Sequence, residues 1–510
     1  MRRALSLVLS LALLAPLAAC GGGGGGDEPP ADTGAPGTLR ALALEGAVAP
    51  DSGGGTFAAF PTFPIMSAGA TGWAAWVAQV VAGNFTEAVY VTQPDGAATT
   101  VRVFAQDDAV GGTDRRIADF AGVWMCDNGT VITLANLAGG TATQDFALLA
   151  ADVAAGAVSN RRTILLDEAD LTVVAPGGVL SSINADTLLK EEDGTLWMQV
   201  IDGNTGDEHL ISIEADGTGL TRRASPGDGL FGGATIANVD AFGVSSVGTF
   251  YAIAVTDSSG DQRMTLQDAT VNPPVYQQFL QDGNPLPSAG TVAAAYKRGR
   301  MVVFSDGSVG WVAVGSLSGA DDVYLLYQPA AAPQFQYIEL ARVPDTAPDT
   351  GMGTYASLDT LNMAPSAQRV LFNAAVTPGT FGISHATFRV SGISPLTVRG
   401  DSANVVLSNG QVFPAPYINL SQTNRPYDEV ASNGDFVYAQ TWSGTSAVWW
   451  AVRSGPNTNI FAVAAQGGPA PGGDTFGAFT AGVGMTAAPG CVLFRGPVTM
   501  SGSGIFRQGP

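Results

Sequence analysis

Beyond the first twenty residues, apolar side chains occur in short runs, each closed by a cluster of Gly, Pro, Asn, Asp or Ser. Runs of that length rich in Val, Ile, Thr and aromatic residues predict β-strands, and the clusters predict turns. The first block predicts four strands, at Thr56–Phe60, Gly72–Val80, Ala88–Thr92 and Thr99–Phe104. No segment after the N-terminus carries the 3.6-residue period of an amphipathic helix.

The block recurs, and a period of this size marks a repeat architecture. AVAPDSGGGTFAAF from Ala47, TAPDTGMGTYASL from Thr346 and PAPGGDTFGAF from Pro469 are its clearest openings. Weaker copies start near Asp107, Val174, Ser225 and Asn284, and the most degenerate near Asp401. A Gly precedes the strongest strand of each copy, at Gly72, Gly129, Gly194, Gly248, Gly307, Gly434 and Gly490, with Gln368 in its place once. These landmarks lie 54 to 66 residues apart. A residue closing a tight turn often needs positive φ, which Gly adopts without strain. On this phase the seventh copy places Asp435–Gln440 where the first copy has Gly72–Val80.

Four-stranded units repeated in series predict an all-β chain folded as a single β-propeller. The last copy ends at Gly504-Ile-Phe-Arg507 with three strands, and TLRALALE (Thr38 to Glu45) resembles the missing fourth. Pairing the two would close the ring and remove two open edges. The expectation is eight four-stranded blades spanning residues 37–510, or seven if the copy near Asp401 is an insertion.

The N-terminus reads MRRALSLVLSLALLAPLAAC. Arg2 and Arg3 precede an apolar stretch too short to span a bilayer comfortably. Leu17-Ala18-Ala19-Cys20 resembles the lipobox of bacterial lipoproteins, which implies removal of residues 1–19 and lipidation of Cys20. Two or three acyl chains, at about 0.8 kcal/mol per buried methylene, would hold the chain to a bilayer. Residues 20–36, opening on Gly21 to Gly26, read as a flexible tether with an r.m.s. reach of roughly 20–25 Å. Residue 21 is not the Asp that retains enteric lipoproteins at the inner membrane, so that resemblance implies the outer membrane of the cell envelope. No later run reaches the length of a membrane-spanning helix.

Charge narrows the partners. The chain has 44 Asp and Glu against 23 Lys and Arg, a formal net charge of −21. An acidic surface repels phosphate backbones and anionic headgroups, so neither nucleic acid nor broad adhesion to a membrane is expected. Hydrophobic residues make up 46% of the chain, enough for a large core.

The APG-type loops alternating with N-x-x-G-x-x-x-F-like strands resemble exported bacterial tandem-repeat proteins with an N-x-x-G-x-x-A-F motif. The resemblance runs from about Leu39 to the C-terminus, although Gln368 replaces one Gly and most copies lack the Asn. Leu210 to Arg222 (LISIEADGTGLTR) resembles the strand-turn-strand of TolB-type propeller repeats. Neither resemblance implies a reaction, and a fold does not supply one.

Candidate chemistry is sparse. The only histidines, His209 and His385, are too few for a His-rich metal site, and no G-x-S-x-G nucleophile elbow occurs. Both read as surface or satisfied strand residues; a Ser-His-Asp set built on either stays open. Cys126 and Cys491 begin apolar strands with no His nearby in sequence, and read as separate buried thiols. Asp202, Asn204 and Asp207 have the oxygen spacing of a Ca²⁺ loop but lack the later bidentate Glu of an EF-hand; a polar connecting loop is the simpler reading. The blade-docking T-G-x-x-x-W and adjacent cysteines of quinone-dependent propeller dehydrogenases are missing.

Asp51, Asp349 and Asp474 fall in the connections that border a propeller's mouth, with Asp107, Asp108 and Asp282 in related loops. Such acids cap turns; converging, they would bind a cation or sugar, or act as an acid–base pair on glycans. The sequence thus favours a monomeric binding or scaffold lipoprotein that recognises an envelope protein or glycan and needs no cofactor. The alternative is a carboxylate-dependent hydrolase or lyase acting on glycans at the mouth.

Overall fold

The computed structural model describes residues 37–61, 65–69, 72–94, 99–191, 194–244, 250–270, 277–281, 299–303, 309–316, 321–328, 336–346, 354–364, 369–377, 380–389, 392–398, 405–407, 412–413, 436–442, 445–454, 457–479, 485–488 and 490–509. Residues 1–36, with the expected signal peptide, Cys20 and tether, fall outside them. The described strands form eight sheets of four or five strands and one two-stranded ribbon, Pro469–Ala470 with Asp474–Thr475. The only helical segments among the described residues are two three-residue turns, Ala185–Thr187 and Phe231–Gly233.

Six of the eight sheets follow the chain as an antiparallel meander. The second is representative: Arg116–Met125, Thr130–Ala138, Phe146–Ala154 and Ala157–Leu166 pair in sequence order. Its strands read as nearly unbroken apolar runs because both faces are covered. In Thr130–Ala138, Val131, Ala135 and Leu137 pack toward Val77, Val89 and Val91 of the first sheet. The intervening Ile132 and Leu134 pack toward Leu196, Met198 and Val200 of the third. The chain is a β-propeller, built of radial sheets stacked face to face.

The chain ends meet in one sheet, as the terminal sequences predict. Thr38–Leu44 runs antiparallel to Gly502–Gly509, from Thr38 opposite Gly509 to Leu44 opposite Gly504. Cys491–Val498 and Met485–Ala488 complete it. Ala43 and Ile505 sit opposite one another and pack with Leu493 against Trp76 and Tyr90 of the first sheet. Arg507, buried, donates from Nη1 to the carbonyls of Gly72 (2.5 Å) and Gln93 (3.1 Å), fastening the closing sheet to the first.

The turn glycines behave as expected. Gly72, Gly129, Gly194 and Gly490 all have positive φ, and at Gly129 an added Cβ would lie 2.5 Å from the Val153 carbonyl oxygen. The TolB-like segment forms the expected hairpin, Glu208–Glu214 pairing with Thr221–Ala224.

Two expectations need correction. The inner edge of the first sheet is two short strands, Thr56–Phe57 and Met66–Ala68, each pairing with Ala74–Val81. The seventh copy is also out of phase. Phe436–Trp442 takes the sheet edge rather than the second place, followed by Thr445–Ser454 and Asn457–Ala465. The far side is filled by Val405–Leu407, which pairs with Asn457–Ala465 in parallel.

Replacing Ala43, which is 4% exposed, with Asp would put an uncompensated carboxylate between the closing and first sheets. Ala43→Asp is expected to cost about 3–5 kcal/mol, read as a fall in the denaturant midpoint.

Candidate functional site

Each meander places two kinds of connection at the same end of its sheet: the hairpin joining the second and third strands, and the loop entering from the previous sheet. In the third sheet Leu180, where the chain enters, lies opposite Asp202, where the hairpin 203–207 begins. This end is called the loop face below, and it carries Asp51, Asp107, Asp108, Asp202 and Asp474 of the acids singled out in the sequence.

Two of the four mouth-loop acids that can be followed hold backbone in place. Asp474 is buried, and its carboxylate accepts from the N–H groups of Thr475 (2.7 Å), Met500 (2.9 Å) and Ser501 (3.1 Å) and from the Ser501 hydroxyl. It ties the loop entering the closing sheet to that sheet's own hairpin. Burial pushes its pKa up, but the N–H donors outweigh burial and hold the carboxyl below its ordinary value. Asp108 accepts from the Ala105 N–H and lies 3.8 Å from Arg161. Asp51 and Asp107 are exposed and take positive φ (56° and 67°) at turn corners, the role expected of a turn-forming Asp. Asp349 and Asp282 lie outside the described residues.

Asp202, Asn204 and Asp207 do form a connecting loop. The Asp202 carboxylate is buried and accepts from the N–H groups of Val179 (3.0 Å) and Asn204 (2.9 Å) and the Thr205 hydroxyl (3.2 Å). Asn204 Nδ2 donates to the Gly177 carbonyl, and the Asp207 N–H to Thr205 Oγ1. Burial works to raise the Asp202 pKa, and the donors more than reverse it. Among the described residues no group of three or more His, Cys, Asp or Glu is placed to hold a metal ion.

The same device recurs where the sequence reading had not marked it. Asp257, at the corresponding end of Phe250–Asp257, accepts from the N–H groups of Ser259 and Asp261 and from Arg263 Nε at 2.5 Å. Arg263 in turn donates to the carbonyl of Phe231 in the entering loop. Asp228 accepts from Arg222 and the Ser225 N–H, and Asp114 from Thr141 and Ala142 of the neighbouring hairpin. The signal was present: Asp202-Gly-Asn-Thr-Gly206 and Asp257-Ser-Ser-Gly260 both place an Asp at a strand's end before a Gly turn.

His209 is buried in its strand, with Nδ1 2.9 Å from the buried Ser225 hydroxyl. Nε2 is buried too and finds no hydrogen-bond partner among the described residues, so no carboxylate completes a triad. Burial lowers its pKa, against the pull of Asp207 and Asp202. His385 lies in Thr380–Arg389 opposite Leu371 and Leu396. Cys126 and Cys491 are buried, unpaired thiols; burial raises both, Cys491 to about 12, so neither is an activated nucleophile.

No protein-family model matches this chain. No curated protein matches it. Solved structures do, at the level of fold. An oligogalacturonate lyase from Vibrio parahaemolyticus aligns over 82% of this chain and 96% of its own, with 8% identity and a TM-score of 0.40. The β-propeller domain of the trilobed protease from Pyrococcus furiosus aligns over 77% and 95%, with 6% identity and a TM-score of 0.40. A putative TolB from Agrobacterium tumefaciens aligns over 69% and 94%, with 14% identity and a TM-score of 0.29.

Two measurements follow from these groups. Asp257→Ala strands the buried Arg263 and is expected to cost about 3–5 kcal/mol by chemical denaturation. For His209 the folded pKa lies below the unfolded value of about 6.5, so its contribution is complete above that pH and declines as pH falls through it. Stability profiles of the parent and of His209→Gln between pH 7.5 and pH 5 should therefore diverge, the variant showing the flatter curve.

Proposed function

We propose that this chain is a lipid-anchored cell-envelope protein whose propeller acts as a binding or scaffold module. The observation that carries the reading is the use of the loop-face acids. Asp474, Asp202 and Asp257 each accept several N–H donors, which is the work of a frame rather than of an acid–base pair. A hydrolase or lyase needs one carboxyl with a raised pKa poised at the mouth; Asp474 is held in the opposite direction, and Asp167, which burial raises, is itself engaged by the N–H groups of Asp145 and Glu168. The lipobox-like Leu17-Ala18-Ala19-Cys20 and the glycine tether supply the address, with the outer membrane as the site and an envelope protein or glycan as the ligand. The acidic balance argues against nucleic acid, and the reading takes the chain as a monomer that works without a cofactor. Among the described residues no helix is long and apolar enough to cross a membrane.

Growth with an alkyne-palmitate tests the anchor: the parent should take up label and fractionate with membranes, whereas Cys20→Ser should lose both. Retention of label by Cys20→Ser would defeat the lipid assignment. Affinity capture of the parent from cross-linked envelopes tests the module. Turnover of glycan substrates that is abolished by Asp51→Asn, Asp349→Asn or Asp474→Asn would replace the binding reading with the catalytic one.

A further inference from the structure

The exposed large apolar side chains of the described residues gather at one end of the sheets. Among the described residues six stand out: Val48, Val81, Val173, Leu189, Phe231 and Met500. Five of them belong to the loop face. Val48, Val173 and Phe231 lie in loops that enter the first, third and fourth sheets, Val81 ends the strand Ala74–Val81, and Met500 sits in the hairpin of the closing sheet. These five are between 54% and 77% exposed. Val48 and Val81 are aligned across Thr56, which pairs with both. Met500 lies in the hairpin of the neighbouring, closing sheet, where its N–H bonds to Asp474. Leu189 alone is at the opposite end, opposite Trp197 near the start of its strand.

The frame that holds these side chains is rigid where it is described. Phe231 presents its carbonyl to Arg263, Met500 its N–H to Asp474, and the carbonyl of Val174, next to Val173, accepts from Arg222. Ordering cost on binding is therefore small. Around them the same face exposes Asp51, Asp107, Asp114, Asp145, Glu168 and Asp170. Of the bases among them, Arg115 is ion-paired to Asp145 and Arg116 donates to the Asp107 carbonyl.

We infer that the loop face is a docking surface for a protein segment that combines apolar side chains with Lys or Arg. Apolar side chains clustered on a monomer's surface mark contact with another protein or a membrane. The negative charge favours a cationic partner and speeds its encounter, while opposing anionic headgroups and a second copy of the same face. The anchor points the same way. Thr38, where the tether joins the fold, lies opposite Gly509, at the end of the closing sheet remote from Met500. The loop face is thus at the end remote from the point of attachment and is left clear for a partner. Of the five, only Phe231 offers a ring face on which a sugar can stack, and the other four are aliphatic or Met, so a protein fits this face better than a glycan.

This inference rests on the binding-module reading and names its face and partner chemistry. The test uses the full chain carrying Cys20→Ser, free of lipid, and three labelled peptides: one of Leu and Lys, one with Glu for each Lys, and one with Ser for each Leu. Fluorescence anisotropy should show binding of the Leu/Lys peptide alone. Phe231→Ser and Met500→Ser should each weaken it about tenfold, Leu189→Ser should leave it unchanged, and raising salt should weaken it further. Because all three side chains are solvent-exposed, unchanged melting curves are expected to accompany these effects. Equal binding to the loop-face variants, equal binding of the Ser/Lys peptide, or loss through Leu189→Ser would overturn the proposal. So would Phe231-dependent binding to phosphatidylglycerol vesicles or Phe231-dependent dimerisation. If the peptides fail while envelope capture still recovers a partner, the module stands and only the face is wrong.

Discussion

The structure depends on one constraint: no sheet here can bury itself. Central strands such as Thr130–Ala138 bury apolar side chains on both faces, so such a sheet needs a neighbour on either side, and a linear stack would leave two faces wet. The antiparallel pairing of Thr38–Leu44 with Gly502–Gly509 answers this by building the last sheet from both ends of the chain. It converts an open edge strand into an interior one and brings Ala43 and Ile505 against Trp76 and Tyr90. Arg507, reaching the Gly72 and Gln93 carbonyls, adds charge-assisted bonds at the same junction.

Once the sheets are locked in this way, what remains adjustable is the loop face, and there the carboxylates divide into two populations. Asp202, Asp257 and Asp474 are buried and saturated with N–H donors, so hairpin and entering loop move as one piece. Asp51, Asp107, Glu168 and Asp170 are exposed and give the face its sign. The first group confers shape and the second long-range attraction.

Much of this fold is legible in the sequence because two-sided burial leaves a strong trace. Strands such as Thr130–Ala138 and Thr195–Asp202 are almost wholly apolar, and the glycines before them are demanded by backbone geometry. The likeness of TLRALALE to TTVRVFAQ was enough to foresee the closing pair. The seventh copy misleads because a Gly before an apolar run suits an edge strand as well as an interior one. The parallel pairing of Val405–Leu407 has no local signature at all. The acids were legible as turn residues but not as buried or exposed: a tight turn and a cation loop both ask for oxygens two or three residues apart. Which of the two Asp202 serves depends on Val179, 23 residues earlier in the chain.

The pairing of the termini also dictates when the domain can fold. Gln508 bonds to the Gly37 carbonyl, a contact spanning 471 residues of chain. Contacts of such separation form late and slowly, because the intervening polypeptide must first be gathered in. TLRALALE must wait unpaired until Gly502–Gly509 has been made and, for an exported chain, carried across. Export and folding are thereby put in sequence by topology alone, and the waiting strand is the part of the nascent chain most in need of protection from other edges.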